Sequence, residues 1–332
     1  MRRFTLIWIL LLFTTPLFSQ YSYREVLSLP WGAGELAVGF RTAPGGQFGP
    51  MSFAVHDDTI LVLDSQNKQL KLFQNDTLLQ QKELPSKNVD DFGWRNSNHY
   101  FLLSDNALLE IAAQKVIHTY YPDSPRNLIT SVNTDHKTKN VYAILNESNS
   151  VQATAGKRLS IAKGQAVSNG YGQFVSVIKK DWQSIVVSRS DRATFEIHSP
   201  KRDLATAKFL GSTPDGDLYI YLEKIRQQAP LIVDRVIHRY TADGSLKARF
   251  SIPTHAFTTV FKEFYVDDKG NLFQMISAED GIHIIGWYLN GELFKGIPTY
   301  SYPEKFSRFY HYNLIEEETP QSKKASSQKK RK

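Results

Sequence analysis

The 332-residue chain contains no cysteine. That absence excludes a disulfide framework, a thiolate nucleophile and any cysteine-ligated metal. It also excludes a lipid-modified leader, because no cysteine follows the N-terminal apolar run. Long amphipathic stretches with a 3.6-residue period are missing after the first twenty residues, which argues against a helical body. Net charge is scarce as well. The formal total is +7, but Arg2 and Arg3 stand at the start and six more basic residues (Lys323, Lys324, Lys329, Lys330, Arg331 and Lys332) at the end. Setting those eight charges aside leaves −1 for the remainder. A near-neutral body lacks the basic footprint of a nucleic-acid binder, so no nucleic acid is expected as partner.

The ends are compositionally distinct. "MRRFTLIWILLLFTTPLFSQ" has a basic start, an apolar run from Phe4 to Phe18 and a small residue at Ser19. That is the layout of a secretory signal peptide, expected over residues 1–19. The run falls short of the roughly 20 residues of a membrane span, and no span is expected after its removal. Export to the periplasm or the extracellular medium follows. Leu17, at the −3 position of a cut after Ser19 and larger than the usual small residue there, keeps an uncleaved N-terminal anchor as the alternative. At the other end, "SKKASSQKKRK" cannot bury apolar surface, and residues 316–332 are expected to form a disordered, solvated tail.

Between the ends, short apolar runs alternate with turns. In "GPMSFAVHDDTILVLDSQNKQLKLF" (Gly49 to Phe73), "SFAV" and "TILVLD" flank the turn-forming "HDD", and "KQLKLF" alternates with period two. "TLLQQKELP" supplies a fourth strand ending at Pro85. A four-stranded meander of about forty residues is the size of one propeller blade. Runs like "TILVLD" recur from Thr59, His99, Asn140, Ser184, Asp217 and Asn271, at intervals of 40, 41, 44, 33 and 54 residues. Each is read as the second strand of a unit. "EKIRQQAPLIVD" lengthens a loop of the fifth unit. Six units predict an all-β fold, a six-bladed β-propeller of four-stranded antiparallel blades over residues 20–315. A ring also needs closure. "ELAVGFRT" (Glu35 to Thr42) is expected to close it as the N-terminal strand completing the last blade.

The Gly49 to Phe73 stretch resembles an NHL repeat, with its glycine-proline start, a strand ending in Asp and an Asn before a basic position. The other units carry only fragments of the motif, such as "PDGDLYIY" and "DDKGNLFQM". The resemblance implies that Asp64 and Asn67 fix the turn between blade strands. It does not imply an activity, since NHL-like propellers include binding modules and enzymes.

No motif carries chemistry on its own. His118, His198, His238 and His283 occupy similar places in four units, and are expected to share a register on outer blade strands, far apart around the ring. "VDDKGN" and "PDGD" lack the alternating ligands of a calcium loop and read as turns. "GGQFG" and "GAGE" precede no helix, so no phosphate cradle is implied. "PEKFSRFYHYN" interleaves basic and aromatic residues, and is expected to pack against the last blade. The enzyme alternative is a metal-dependent hydrolase resembling gluconolactonases, for which Asp64, Asn146, Glu223 and Glu279 lie near strand ends.

The expectation is therefore a monomeric binding module without catalytic residues, cofactor or metal. Its partner would be a protein, peptide or glycan. The contact face would be built by the loops leading into each innermost strand and those joining second to third strands, where the loops of all blades converge. Phe48, Arg126, Tyr171, Arg189 and Glu223 are the residues expected there.

Overall fold

The computed structural model describes residues 17–86, 88–122, 128–145, 150–154, 159–161, 167–192, 194–252, 257–295 and 299–300. Strand β1 (Leu17–Pro30) comes first, followed by a small hairpin of β2 (Arg41–Ala43) and β3 (Gly46–Phe48). The first sheet is β4 (Ser52–His56), β5 (Thr59–Asp64), β6 (Gln69–Gln74) and β7 (Thr77–Glu83) in sequential order. The second is β8 (Val89–Asn96), β9 (His99–Ser104), β10 (Ala107–Ala112) and β11 (Lys115–Tyr120). The third is β12 (Ile129–Thr134), β13 (Val141–Leu145), β14 (Ser150–Thr154) and β15 (Leu159–Ile161). The fourth is β16 (Val167–Ser168), β17 (Phe174–Lys179), β18 (Ser184–Arg189) and β19 (Phe195–His198).

The fifth sheet runs β20 (Leu204–Ser212), β21 (Leu218–Gln228), β22 (Leu231–Tyr240) and β23 (Leu246–Ile252). The sixth contains β24 (Phe264–Val266), β25 (Leu272–Ala278) and β26 (Gly281–Lys295), with β1 paired outside β26. A last short strand, β27 (Thr299–Tyr300), adds in parallel to β23. The described residues thus form six sheets of four or more antiparallel strands. Their first strands neighbour one another: β4 touches β8, β8 touches β12, β20 touches β24, and β24 returns to β4. This is a β-propeller.

The core explains why the second strands read as unbroken apolar runs. Each sheet packs on both faces against its neighbours, so alternation with a polar face is lost. Apolar clusters fill the gaps between sheets: Phe53 and Ile284 belong to the one joining the sixth and first, Leu63 and Phe92 to the next, Leu103 and Val132 to the third. Near the axis the sheets approach closely. A Cβ on Gly93 of β8 would meet Val141 Cγ1 at 2.6 Å, and one on Gly211 of β20 would meet Val266 Cβ at 2.7 Å.

Closure comes from a different segment than expected. The outer strand of the sixth sheet is β1, with Tyr23 opposite Trp287 and Pro30 opposite Gly281. Leu27 and Leu29 are buried at 3% exposure, while Ser28 and Pro30 between and after them face solvent. That alternation makes β1 an edge strand with one packed face. Glu35–Thr42 instead forms a compact loop that runs into β2 at Arg41. Gly32 N donates to Val38 O at 2.8 Å, Val38 N donates to Pro30 O at 2.9 Å, and Gly39 N donates to Asp64 Oδ1 at 3.0 Å. The backbone of Leu17 to Ser19 already pairs with β26, so strand and expected leader overlap by three residues. The tail expected over 316–332 and the segment Pro303 to Asn313 lie outside the described residues.

The fourth unit is shifted by one strand. "SIVVSR" is β18, the third strand of its sheet, and "FVSVIK" (β17) is the second. The other five assignments of second strands hold.

Candidate functional site

Innermost strands of three sheets, together with the segment before β24, enclose a cavity of about 400 Å³. Ser131 and Thr134 reach it from β12, Lys208 and Leu210 from β20, Tyr265 from β24, and Lys262 and Glu263 from the segment. That segment crosses toward the first sheet, because the amides of Phe261 and Lys262 both donate to Met51 O, at 2.7 and 3.0 Å. The Lys262 ammonium lies 2.8 Å from Asp91 Oδ2 and donates to Val132 O at 2.6 Å. Asp91 is fully buried on β8 and also accepts from Ser52 Oγ at 2.5 Å and Val132 N at 2.7 Å. One carboxylate thus ties three innermost strands and the crossing segment together. Buried charge is tolerable on these terms, paired and fully hydrogen-bonded.

A second polar cluster lies between the fifth and sixth sheets. Arg235 donates to Glu263 and, through Nε, to Tyr221 Oη at 2.8 Å. Tyr221 Oη donates in turn to Glu223 Oε1 at 2.7 Å. Gln274 donates to the other oxygen of Glu263 at 2.5 Å. Burial raises the Glu263 carboxyl above the ordinary range, against the pull of Arg235 and Gln274. Burial likewise pushes the Tyr221 hydroxyl upward, so it acts here as a neutral donor.

The cavity has a floor at the end built by the turns between first and second strands. His136, Gly170 and Tyr265 line it there. The His136 ring lies 6.1 Å from Tyr171 and meets Tyr265 edge-on at 6.2 Å. Tyr171 Oη donates to Asp268 O at 2.7 Å, linking the fourth sheet to the sixth across this end. Burial lowers the His136 imidazole, so the ring is held neutral. The acids of the turns at this end are bound in two ways. Asp267 Oδ1 accepts from the amides of Lys269 and Asn271 at 3.0 and 2.7 Å. Asp217 Oδ2 meets Arg239 and Lys247, both at 2.7 Å. The Asp267 contacts are the turn chemistry expected of "VDDKGN", whereas Asp217 pairs across strands, and the "PDGD" turn is closed by Thr213, whose Oγ1 accepts from Asp217 N at 3.1 Å and whose carbonyl accepts from Gly216 N at 2.9 Å.

The opposite face carries an aromatic group. Trp31, Phe40 and Phe257 lie with ring centroids 5.3 to 6.1 Å apart. Trp31 Nε1 donates to Ala278 O at 3.0 Å, at the end of β25 on this face. Phe48, half-buried on β3, bridges to Thr259 in the crossing segment, and Arg41 sits 5.4 Å over its ring.

The expected site residues therefore separate. Phe48 lies on the lead-in face, as expected. Glu223 lines the cavity from β21. Tyr171 is corrected: its loop joins β16 to β17, and so belongs to the floor rather than to a lead-in loop. Arg189 is corrected too, because β18 is a third strand and ends at the floor. There it is buried, donating to Gly216 O and pairing with Asp191 at 3.1 Å. Arg126 and Asn146 lie outside the described residues. Asp64 and Asn67 do fix a strand turn, with Asn67 Nδ2 donating to Asp64 Oδ2 at 2.8 Å.

Of the four histidines, His118 and His198 are on outermost strands, but His238 and His283 are on third strands. They belong to four different sheets. Among the described residues, no three His, Asp or Glu side chains gather as a metal-ligand set. Glu279, one of the acids considered for such a set, is exposed in the turn after β25. Lys208, Arg235, Lys262, Glu263 and Asp91 were not singled out from the sequence. They come from two innermost strands, a third strand (Arg235 on β22) and a crossing segment, and no motif links them.

No family model matches the sequence, and no curated protein is similar to it. Among solved structures, a member of the DUF4221 family from Bacteroides vulgatus is 9% identical and has a TM-score of 0.54, over 84% of this chain and 99% of that one. Streptogramin B lyase is 11% identical with a TM-score of 0.45, over 81% and 98% of the two chains. BBS1N, solved in complex with ARL6DN, is 8% identical with a TM-score of 0.41, over 83% and 99%. At such identities the likeness is one of fold alone. No helix among the described residues is long and apolar enough to cross a membrane.

Proposed function

We propose that the protein is an exported binding module, a six-bladed propeller of NHL-like kind without catalytic activity. It takes a small ligand, or the end of a peptide or glycan partner, into the axial cavity. The observation that carries this reading is the cavity itself. About 400 Å³ lies within the size range of small-molecule sites. Its lining mixes aromatic and aliphatic side chains with many polar ones, among them Asn133, Asn169, Lys208, Glu223 and Arg235, which can orient a ligand through hydrogen bonds. The floor is closed by His136, Tyr171 and Tyr265, so access is from the side where Phe48 and the Trp31 group stand.

Filling the cavity tests this. Asn133 lines it and its side chain is half-buried, so Asn133→Trp occupies the space from an innermost strand. Ligand-dependent thermal shifts, measured against a library of peptides, amino acids and oligosaccharides, are expected for the unaltered protein and abolished in Asn133→Trp. Shifts that persist in the filled variant place the binding site elsewhere.

A further inference from the structure

The aromatic group on the lead-in face is open to solvent. Phe40 is 38% exposed and Leu36, on the same loop, 57%. Gly32 to Glu35, between Trp31 and Leu36, are exposed as well. Because the rings of Trp31, Phe40 and Phe257 lie side by side, this apolar surface is contiguous rather than scattered. Its rim is acidic. Glu35 precedes Leu36, and the exposed Glu279 and Asp280 follow Ala278, whose carbonyl holds Trp31. Arg41, a cation of the same loop, is turned over the Phe48 ring.

The last described strand directs the rest of the chain toward this face. β27 runs parallel to β23, with Thr299 beside Arg249 and Tyr300 beside Phe250. Phe257 follows Phe250 by seven residues, a span of at most about 25 Å. Paired strands are about 5 Å apart, so Tyr300 stands within about 30 Å of Phe257. Nine extended residues cover that distance, and the ninth after Tyr300 is Phe309. The composition fits as well as the reach. "SYPEKFSRFYHYN" (Ser301 to Asn313) carries Tyr302, Phe306, Phe309, Tyr310 and Tyr312, with Lys305 and Arg308 among them and Glu304 as its one acid. Rings with interleaved cations complement an aromatic face with an acidic rim. A tethered segment also reaches that face at a far higher effective concentration than a separate molecule does. We propose that residues 302–312 of this chain cover the Trp31, Phe40 and Phe257 rings, with Lys305 and Arg308 toward Glu35, Glu279 and Asp280. The segment then fastens the fifth sheet to the sixth and to the Glu35–Thr42 loop, beside the closure made by β1. This holds whether or not the cavity is the ligand site.

The absence of native cysteine makes cross-linking a clean test. In the full chain, Leu36→Cys is combined with Ser307→Cys, which leaves every ring of the segment in place. The control combines Ser307→Cys with Val116→Cys, on β11 of the second sheet. Leu36 and Val116 are both exposed, so neither change puts folding at stake. Under mild oxidation the intramolecular disulfide of the first pair is expected to form at least about tenfold faster than that of the control, as a docked segment raises the local concentration. Adding Phe306→Ala, Phe309→Ala and Tyr310→Ala to the first pair should remove the advantage. An advantage that survives the alanines would overturn the proposal, since the tether alone would then account for it. Equal rates in the two pairs, or no disulfide in either, would overturn it as well. Disulfides between molecules, seen as a dimer on non-reducing electrophoresis, would also overturn it and assign the face to a second copy of the chain.

Discussion

Lys71 Nζ lies 3.5 Å from Asp64 Oδ2, and neither side chain reaches solvent. The pair clamps the loop that separates the closing strand from the first sheet. Lys71 donates to the carbonyls of Gly34 and Ala37, at 3.0 and 2.5 Å, and Asp64 accepts from Gly39 N. Burial raises the Asp64 carboxyl, while the Gly39 amide and the Lys71 charge oppose the rise. Removing one partner strands the other. Asp64→Ala is expected to destabilise by about 3–5 kcal/mol, the range for an orphaned buried charge. The double variant Asp64→Asn with Lys71→Met should cost clearly less than Asp64→Ala alone. Urea denaturation of the three proteins decides it, and equal losses in single and double variants would mean that the ion pair is not the clamp.

Closure of the ring makes a second prediction. Leu27 and Leu29 on β1 are buried, whereas Leu36 in the neighbouring loop is 57% exposed. Leu27→Ala and Leu29→Ala should each cost about 2–5 kcal/mol. Leu36→Ala should stay within about 0.5 kcal/mol. The reverse ranking in denaturant midpoints would return the closing role to Glu35–Thr42.

Those same residues show what was legible in the sequence and what was not. Second strands such as "TILVLD" are buried on both faces, so their apolar runs stand out at a forty-residue spacing. The closing strand was hidden because its first residues read as the end of a leader, and "ELAVGFRT" nearby has the better strand composition. In the fourth unit, β17 ("FVSVIK") and β18 ("SIVVSR") are about equally apolar, and choosing the wrong one moved Tyr171 and Arg189 to the wrong end of the ring. The cavity residues were the least visible. They are scattered over β12, β20, β21, β22 and the crossing segment, a few from each, so no single stretch carries a motif for them. What joins Lys262 to Asp91 is ring geometry, which no local pattern encodes.

That geometry is itself testable. Asp91 binds groups from the first and third sheets and the crossing segment, so Asp91→Ala leaves the half-buried Lys262 without its counter-charge. A loss of about 3–5 kcal/mol is expected. Because Lys262 also lines the cavity, ligand affinity should fall with it in a variant that still folds. Lys262→Met should restore part of the stability of Asp91→Ala when the two are combined. Failure of that rescue would show that the ammonium is not what Asp91 neutralises.

The last prediction concerns pH. His238 is buried on β22, and its pKa is lowered from 6.5 to about 3, by burial first and then by Lys224 and Arg249. Its Nδ1 lies 2.9 Å from Tyr240 Oη. In the unfolded chain the imidazole takes up a proton as pH falls through 6.5, but in the folded protein it stays neutral until far lower. The unfolded state therefore binds more protons in this window, and His238 contributes stability that is fully present above pH 6.5 and drains away on acidification. The slope approaches one proton, about 1.4 kcal/mol per pH unit. Asp64, Glu263 and Asp267 work in the other direction, since their raised carboxyls are stabilised by acidification. A single curve for the unaltered protein therefore mixes opposing effects. The difference between it and His238→Gln isolates the histidine, because the amide does not titrate and still reaches the Tyr240 hydroxyl. Denaturant midpoints from about pH 7 down to about pH 5 should fall more steeply in the unaltered protein than in the variant. Parallel pH profiles would mean that His238 is protonated in the folded state and that the interior of the fifth sheet is wetter than its packing implies.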